Sequence, residues 1–184
     1  MRAEGVTVKT RTLKREEIEK VRDIDRSEIV EEDYHFKDGQ LTLKNVFYDI
    51  KGWDPSGLEE HIKHLYDIHD RKGTLFGAFD GDQLIAISAL ESKFIGRKKD
   101  QLQLYFHHVD SHYRHKGIGG KLLTQVTEKA KKLGAKKLYI SATPSKNTIE
   151  FYMHMGCRLT SELNPKLYRL EPEDIHLELK IHEK

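Results

Sequence analysis

Val109-Asp-Ser-His-Tyr-Arg114-His-Lys-Gly117-Ile-Gly119-Gly120-Lys-Leu-Leu123 carries the chain from an apolar strand, through a short basic, glycine-rich turn, into an amphipathic helix. Glycines 117, 119 and 120 let the backbone approach a ligand with no Cβ in the way, so the free N–H groups that open the helix can point at an anion. The helix dipole favours negative charge at the same place. Arg114 and Lys116 add mobile positive charge beside that cradle, which suits a pyrophosphate better than a lone carboxylate. The turn therefore predicts a nucleotide-like ligand.

The apolar run Leu102 to Val109 reads as the strand before the turn. After it, Ile118, Leu122, Leu123, Val126, Ala130 and Leu133 share one helical face, and Gly134 supplies a stop. Lys137 to Ala142 is a further strand, so strand, turn, helix and strand make a right-handed crossover with a parallel pair. Upstream, Asp80-Gly81-Asp82 separates Thr74–Phe79 from Gln83–Leu90, a strong hairpin signal that makes the sheet mixed and largely antiparallel. Val6 to Leu13 alternates as a strand, Leu13 to Ile24 has helical spacing, and Gly57 to Lys72 predicts another helix. Between them, Asp25 to Trp53 lacks clear periodicity and reads as an insertion. It carries an acidic cluster, Glu28, Glu31, Glu32 and Asp33, and a turn at Asp38-Gly39. Beyond residue 142 a short helix from about Lys146 to Met155 ends at Gly156, and strands follow near Cys157–Thr160 and Ile175–Ile181.

The chain has 184 residues, 32 Lys plus Arg against 30 Asp plus Glu, a net charge of +2 and one cysteine. That length suits one domain with a core covering roughly 70% of the unfolded surface. The balanced charge gives no footprint for a nucleic-acid partner, and no apolar stretch approaches the roughly 20 residues needed to cross a membrane. A single cysteine and a polar start, Met-Arg-Ala-Glu-Gly, fit a cytoplasmic setting. His61 and His64 lie three apart on a predicted helix, but no third ligand has diagnostic spacing, so no metal is expected and both read as surface residues.

Arg114-x-x-Gly-x-Gly119 alone is a weak motif. It gains weight from Asn147 and from Phe151-Tyr152-x-x-x-Gly156-Cys157, past one helix and one strand. Over roughly Leu102 to Cys157 the sequence resembles the GNAT superfamily of acetyl-CoA-dependent N-acetyltransferases. The resemblance implies a single α/β domain, residues 1–184, whose mixed, largely antiparallel central sheet is flanked by helices. It implies acetyl-CoA as co-substrate, held through its pyrophosphate by the backbone of His115, Lys116, Gly117, Ile118, Gly119, Gly120 and Lys121, with Arg114 alongside and Asn147 nearby. His107, His108 and Val109 would lie along the pantetheine arm, where a splayed strand exposes main-chain donors. Such donors, fixed in advance, lower the energy of the charge that appears when an amine attacks. Tyr152 matches the position that protonates the departing thiolate. A phenol near pKa 10 is a reasonable donor for that step.

The match is poorer for the base. Where family members often carry glutamate or histidine, this chain has Tyr105 and Gln103, which leaves His107 as the candidate, with His108, Glu91 and the acidic cluster behind it. The acidic cluster points to a small cationic amine as acceptor; a peptide amine is the nearer alternative, and the sequence leaves room for a homodimer. Two readings compete. The missing carboxylate base fits a non-catalytic acyl-CoA-binding module. A dinucleotide oxidoreductase would need a third glycine at G-x-G-x-x-G spacing and an acidic ribose ligand, where this chain has Ser141-Ala142-Thr143.

Overall fold

A computed structural model describes residues 8–182. Seven strands form one sheet in the order β1-β4-β5-β6-β7-β9-β8: β1 (Lys9–Thr12), β4 (Thr74–Asp80), β5 (Gln83–Leu90), β6 (Gln101–Val109), β7 (Lys137–Ala142), β8 (Arg158–Leu159) and β9 (Ile175–Lys180). Every pairing is antiparallel except β6 with β7. The sheet is therefore mixed and largely antiparallel, as the crossover and the Asp80-Gly81 hairpin predict.

Helices cover both faces. On one lies α1 (Pro55–Asp70), capped by Asp54, which accepts from the Gly57 amide at 2.8 Å, with Pro55 preset for the first turn. Its Leu58, Ile62, Leu65 and Ile68 meet Ile18 and Val21 of a 3-10 segment, Arg15–Asp23. The spacing from Leu13 to Ile24 is thus realised as the tighter helix. On the other face, α2 (Ile118–Lys132) buries Leu122, Leu123 and Val126, each contributing roughly 1.5–3 kcal/mol, and α3 (Lys146–His154) buries Ile149 and Tyr152. Among the described residues no helix is long and apolar enough to cross a membrane.

Three features depart from the sequence reading. The aperiodic stretch is a two-stranded hairpin, β2 (Glu28–Lys37) and β3 (Gln40–Ile50), turning at Asp38 and Gly39, both at positive φ. A helix absent from the sequence reading, α4 (Pro165–Leu170), is started by Asn164, whose side chain accepts from the Lys166 and Leu167 amides. His61 and His64 are not free surface residues, because both face β6 and meet Tyr105. The start of the first predicted strand, Val6 and Thr7, lies outside the described residues.

Candidate active site

The parallel contact is short. β6 pairs with β7 only at Gln101–Gln103 against Lys137–Tyr139; beyond that β6 keeps β5 on one edge and β7 keeps β9. The strands diverge toward their C-terminal ends, so the main-chain groups of Leu104 to Val109 on the β7 edge face a V-shaped gap without a ladder partner, while β5 holds the other edge.

An extra residue re-aims β6 inside that gap. Leu104 pairs with Leu90 and Phe106 with Ala89, which leaves Tyr105 as a bulge. Side chains before and after it therefore change faces. Leu102 and Leu104 join the core beneath α2 and α3, whereas Tyr105 and Phe106 turn toward α1. Tyr105 Oη lies 2.9 Å from His61 Nδ1. His108 meets Trp53 edge-on with centroids 4.8 Å apart, so its side chain points away from α2 and only its backbone can serve a ligand on that side. Burial, with Arg26 as the first charged contributor, holds its pKa well below the usual range.

His107 faces the opposite way, stacked on Phe151 at 5.4 Å and 6.0 Å from Tyr152. Its Nδ1 lies 2.5 Å from Ser88 Oγ, and its Nε2 is buried with no hydrogen-bond partner among the described residues. Burial brings its pKa down to about 4. The ring is neutral at pH 7 and a weak proton acceptor. Tyr152 is 5% exposed, and no hydrogen bond to its hydroxyl is made among the described residues. Burial, then the nearby Cys157 and Asp174, raises the phenol's pKa and keeps it protonated. Cys157 is a buried core thiol whose pKa is pushed up to about 12, unsuited to act as a nucleophile.

The glycine turn is built as the sequence suggests. Gly117 sits at φ +77° with nothing within 4 Å of where a Cβ would stand, so conformation alone asks for glycine there. Gly119 answers to packing, since a Cβ would come within 3.3 Å of His107 Nε2 and 3.4 Å of Val109 and Phe151. His115 is also left-handed at φ +60°, and such turns gather successive N–H groups into a concave donor surface. The Lys121 amide reaches Gly117 O at 3.0 Å, while those of Ile118, Gly119 and Gly120 precede the first helical bond. A cavity of about 340 Å³ opens beside them, lined by Val8, Thr10, Tyr113, Lys116, Gly117, Ile118 and Lys121. Uncommitted amides, two lysines and an open cavity fit a diphosphate. Arg114 is engaged elsewhere: its guanidinium donates to Val109 O at 3.2 Å and Ser27 O at 3.1 Å.

Strand β2 crosses the mouth of the gap. Its start is tied to the β6 side through Ser27 and Arg114, and farther along Asp33 bridges Ser145 while the Tyr34 amide donates to Pro144 O at 2.8 Å, at the β7 end. The acidic cluster rides on this strap, and two of its four members are paired. Asn147 donates to Glu28 at 3.3 Å, and Lys146 pairs with Glu32. Neither Asp33 nor the exposed Glu31 has a donor to its carboxylate among the described residues; Asp33 is only 7% exposed, and burial pushes its pKa up. Glu91 is no free base either. Burial raises its pKa, but bonds from His64 at 2.9 Å and Arg71 more than offset this and leave it below the usual range.

Sequence reasoning missed the Glu171–Asp174 pair, because neither residue belongs to a motif. Burial and the adjacent Glu171 raise the Asp174 pKa to about 7. A carboxyl that folding holds protonated contributes fully below the unfolded value near 4 and loses that contribution as pH rises through about 7. Asp174→Asn should therefore stabilise the protein by about 1–3 kcal/mol at pH 8.5 and leave it unchanged near pH 4. Urea midpoints at the two pH values check this, and an equal shift at both would contradict it.

A family model described as "Acetyltransferase (GNAT) family" matches residues 32–157. A search of curated proteins finds no match. Among solved structures, nourseothricin acetyltransferase shares 17% identity, with 95% of this chain and 99% of that one covered at TM-score 0.70. A Bacillus anthracis protein assigned as a streptothricin acetyltransferase, solved with acetyl coenzyme A, shares 18% identity over 97% and 99% of the two chains at TM-score 0.70. The Escherichia coli ribosomal-protein-S18-alanine N-acetyltransferase shares 14% over 97% and 96% at 0.61. At these identities the likeness is one of fold.

Proposed function

The chain belongs to the GNAT acetyltransferase family, enzymes that work with acetyl-CoA, and from that premise we propose that it acetylates a primary amine of a small cationic molecule by direct attack in a ternary complex. Acetyl-CoA supplies an activated thioester: the amine nitrogen bonds to the acetyl carbon, the C–S bond breaks, one proton leaves the nitrogen and one reaches the sulfur. The chain's own residues hold, orient and move those protons. The amides of His115 through Lys121, with Lys116 and Lys121 beside them, would grip the pyrophosphate; Val109 and the unpaired backbone before it would line the pantetheine arm. Holding both reactants in one gap would supply much of the rate gain.

The observation that carries this reading is the divergence of β6 from β7 beside a helix start whose first amides are uncommitted. Tyr152, protonated and within 6.0 Å of His107 by ring centroids, is the proposed acid. For the base, His107 is a poor fit at a pKa of about 4, and Asp33 suits better: a carboxylate of a largely buried residue, with no donor among the described residues, can both attract an ammonium and take its proton. Asp33 is also what favours a small cationic acceptor. Solved relatives of the fold are named for acceptors as different as an antibiotic and a protein alanine, so the fold does not choose.

Thiol release from acetyl-CoA across a panel of di- and polyamines, monoamines and peptides tests the reading. Turnover greatest with small cationic amines is expected. Coenzyme binding without turnover on any amine would instead identify an acyl-CoA-binding module, and a peptide preference would overturn the acceptor class.

A further inference from the structure

On the α1 side of the gap stands a guanidinium with no ion pair among the described residues. Arg26 leads into β2, half-buried, with its guanidinium carbon 5.1 Å above the Trp53 ring. Among the described residues it makes no ion pair and donates no hydrogen bond. The indole beneath it is fixed, since Trp53 Nε1 donates to Ile24 O at 2.7 Å and the ring packs on Phe106 and His108 at 5.7 and 4.8 Å. Those two residues belong to the stretch of β6 that lacks a β7 partner. Arg26 therefore sits at the face of the gap opposite α2, where an acceptor would enter if acetyl-CoA comes from the α2 side.

Glu28 is the nearest acid acting on Arg26, but it already accepts from Asn147 and faces Arg114 at 3.8 Å. His61 and His108 are kept uncharged chiefly by burial. Two guanidinium groups thus share the Glu28 carboxylate, while Glu60 and Glu171 act on His61 on the same side. A half-buried guanidinium with its donors unused costs desolvation that a bidentate oxyanion recovers. A monoanionic carboxylate suits a single guanidinium; a dianionic phosphate would bring surplus negative charge up to Glu28.

We propose that Arg26 binds a carboxylate carried by the acceptor, so that the substrate is a small zwitterion, with its ammonium toward Asp33 and its carboxylate on Arg26. This rests on the acetyltransferase reading above and narrows its acceptor. Arg26 would act as a specificity residue that touches substrate away from the reacting atoms.

The test uses matched trios such as lysine, lysinamide and cadaverine, at several chain lengths, with the wild-type protein, Arg26→Lys and Arg26→Gln. The wild type should favour the carboxylate member by about 10–100-fold in kcat/KM, mostly through KM, as expected for a charge-assisted bidentate contact. Arg26→Gln should abolish that preference while the KM for acetyl-CoA stays put, and Arg26→Lys should keep part of it. Equal use of all three members by the wild type overturns the proposal. So does a loss in Arg26→Gln that is the same for every member, which would mark Arg26 as a structural partner of Trp53. If no amine is turned over, the acetyltransferase reading fails, and calorimetry with coenzyme A present then reads Arg26 by itself. N-acetyl-lysine should bind the wild type more tightly than its amide, and equal binding overturns the assignment.

Discussion

Tyr152→Phe is expected to lower kcat by about 10²–10³-fold while leaving the KM for acetyl-CoA and the fold intact. The ring packs against Phe151 and His107 and lies in the core with Ile149 and Cys157, and phenylalanine keeps all of that carbon. The hydroxyl makes no hydrogen bond among the described residues, so its removal strands no partner there and should change stability by less than about 1 kcal/mol. What is lost is a proton held ready for the departing sulfur, on a phenol that burial keeps protonated. Steady-state kinetics beside a thermal melt separate the two effects. Activity within about threefold of the wild type, in a folded protein, would remove Tyr152 from the chemistry.

Gly120→Pro is expected to weaken acetyl-CoA binding by about 10–100-fold, where Gly120→Ala does not. Gly120 is the third residue of α2, ahead of the first helical bond from Lys121 to Gly117, so proline there removes an amide that the helix does not use. Alanine keeps the amide, and its Cβ meets only the flexible Met155 side chain, at 3.4 Å. The pair isolates one N–H donor. Calorimetry with acetyl-CoA should show the proline variant weakened and the alanine variant close to wild type; equal binding by both would deny that amide a role.

The parts of this site that sequence revealed are those written in local chemistry. Gly117 must be left-handed, Gly119 must let His107 and Phe151 close in, and α2 carries its apolar stripe on one side; each constraint acts within a few residues. The Asp80-Gly81 hairpin was legible for the same reason. The β2–β3 hairpin was not. Around its Asp38-Gly39 turn Tyr34-His-Phe-Lys37 and Leu41-Thr-Leu-Lys44 do alternate, but the run Glu31-Glu-Asp33 and the bulge after Val30 break the period, so the whole stretch reads as an insertion. The Tyr105 bulge exists only relative to its partner β5, and that bulge is what turns His108 toward Trp53 and brings His61 onto β6. Arg26 and Asp174 went unread because each gains meaning from residues far along the chain, Trp53 and Tyr152, and Asp33 was read only as one of an acidic cluster, its burial beside Ser145 being set by the fold. Helix α4 spans six residues, too few for a period to show.

The claim beneath all of this is that the main-chain amides of residues 115–121 hold the pyrophosphate of coenzyme A. Amide ¹H–¹⁵N spectra recorded during titration with coenzyme A observe those groups one by one. The account predicts that the signals of His115 through Lys121 move most and saturate together with the unpaired amides of β6. Saturating coenzyme A that left them in place, or moved only signals elsewhere, would contradict it.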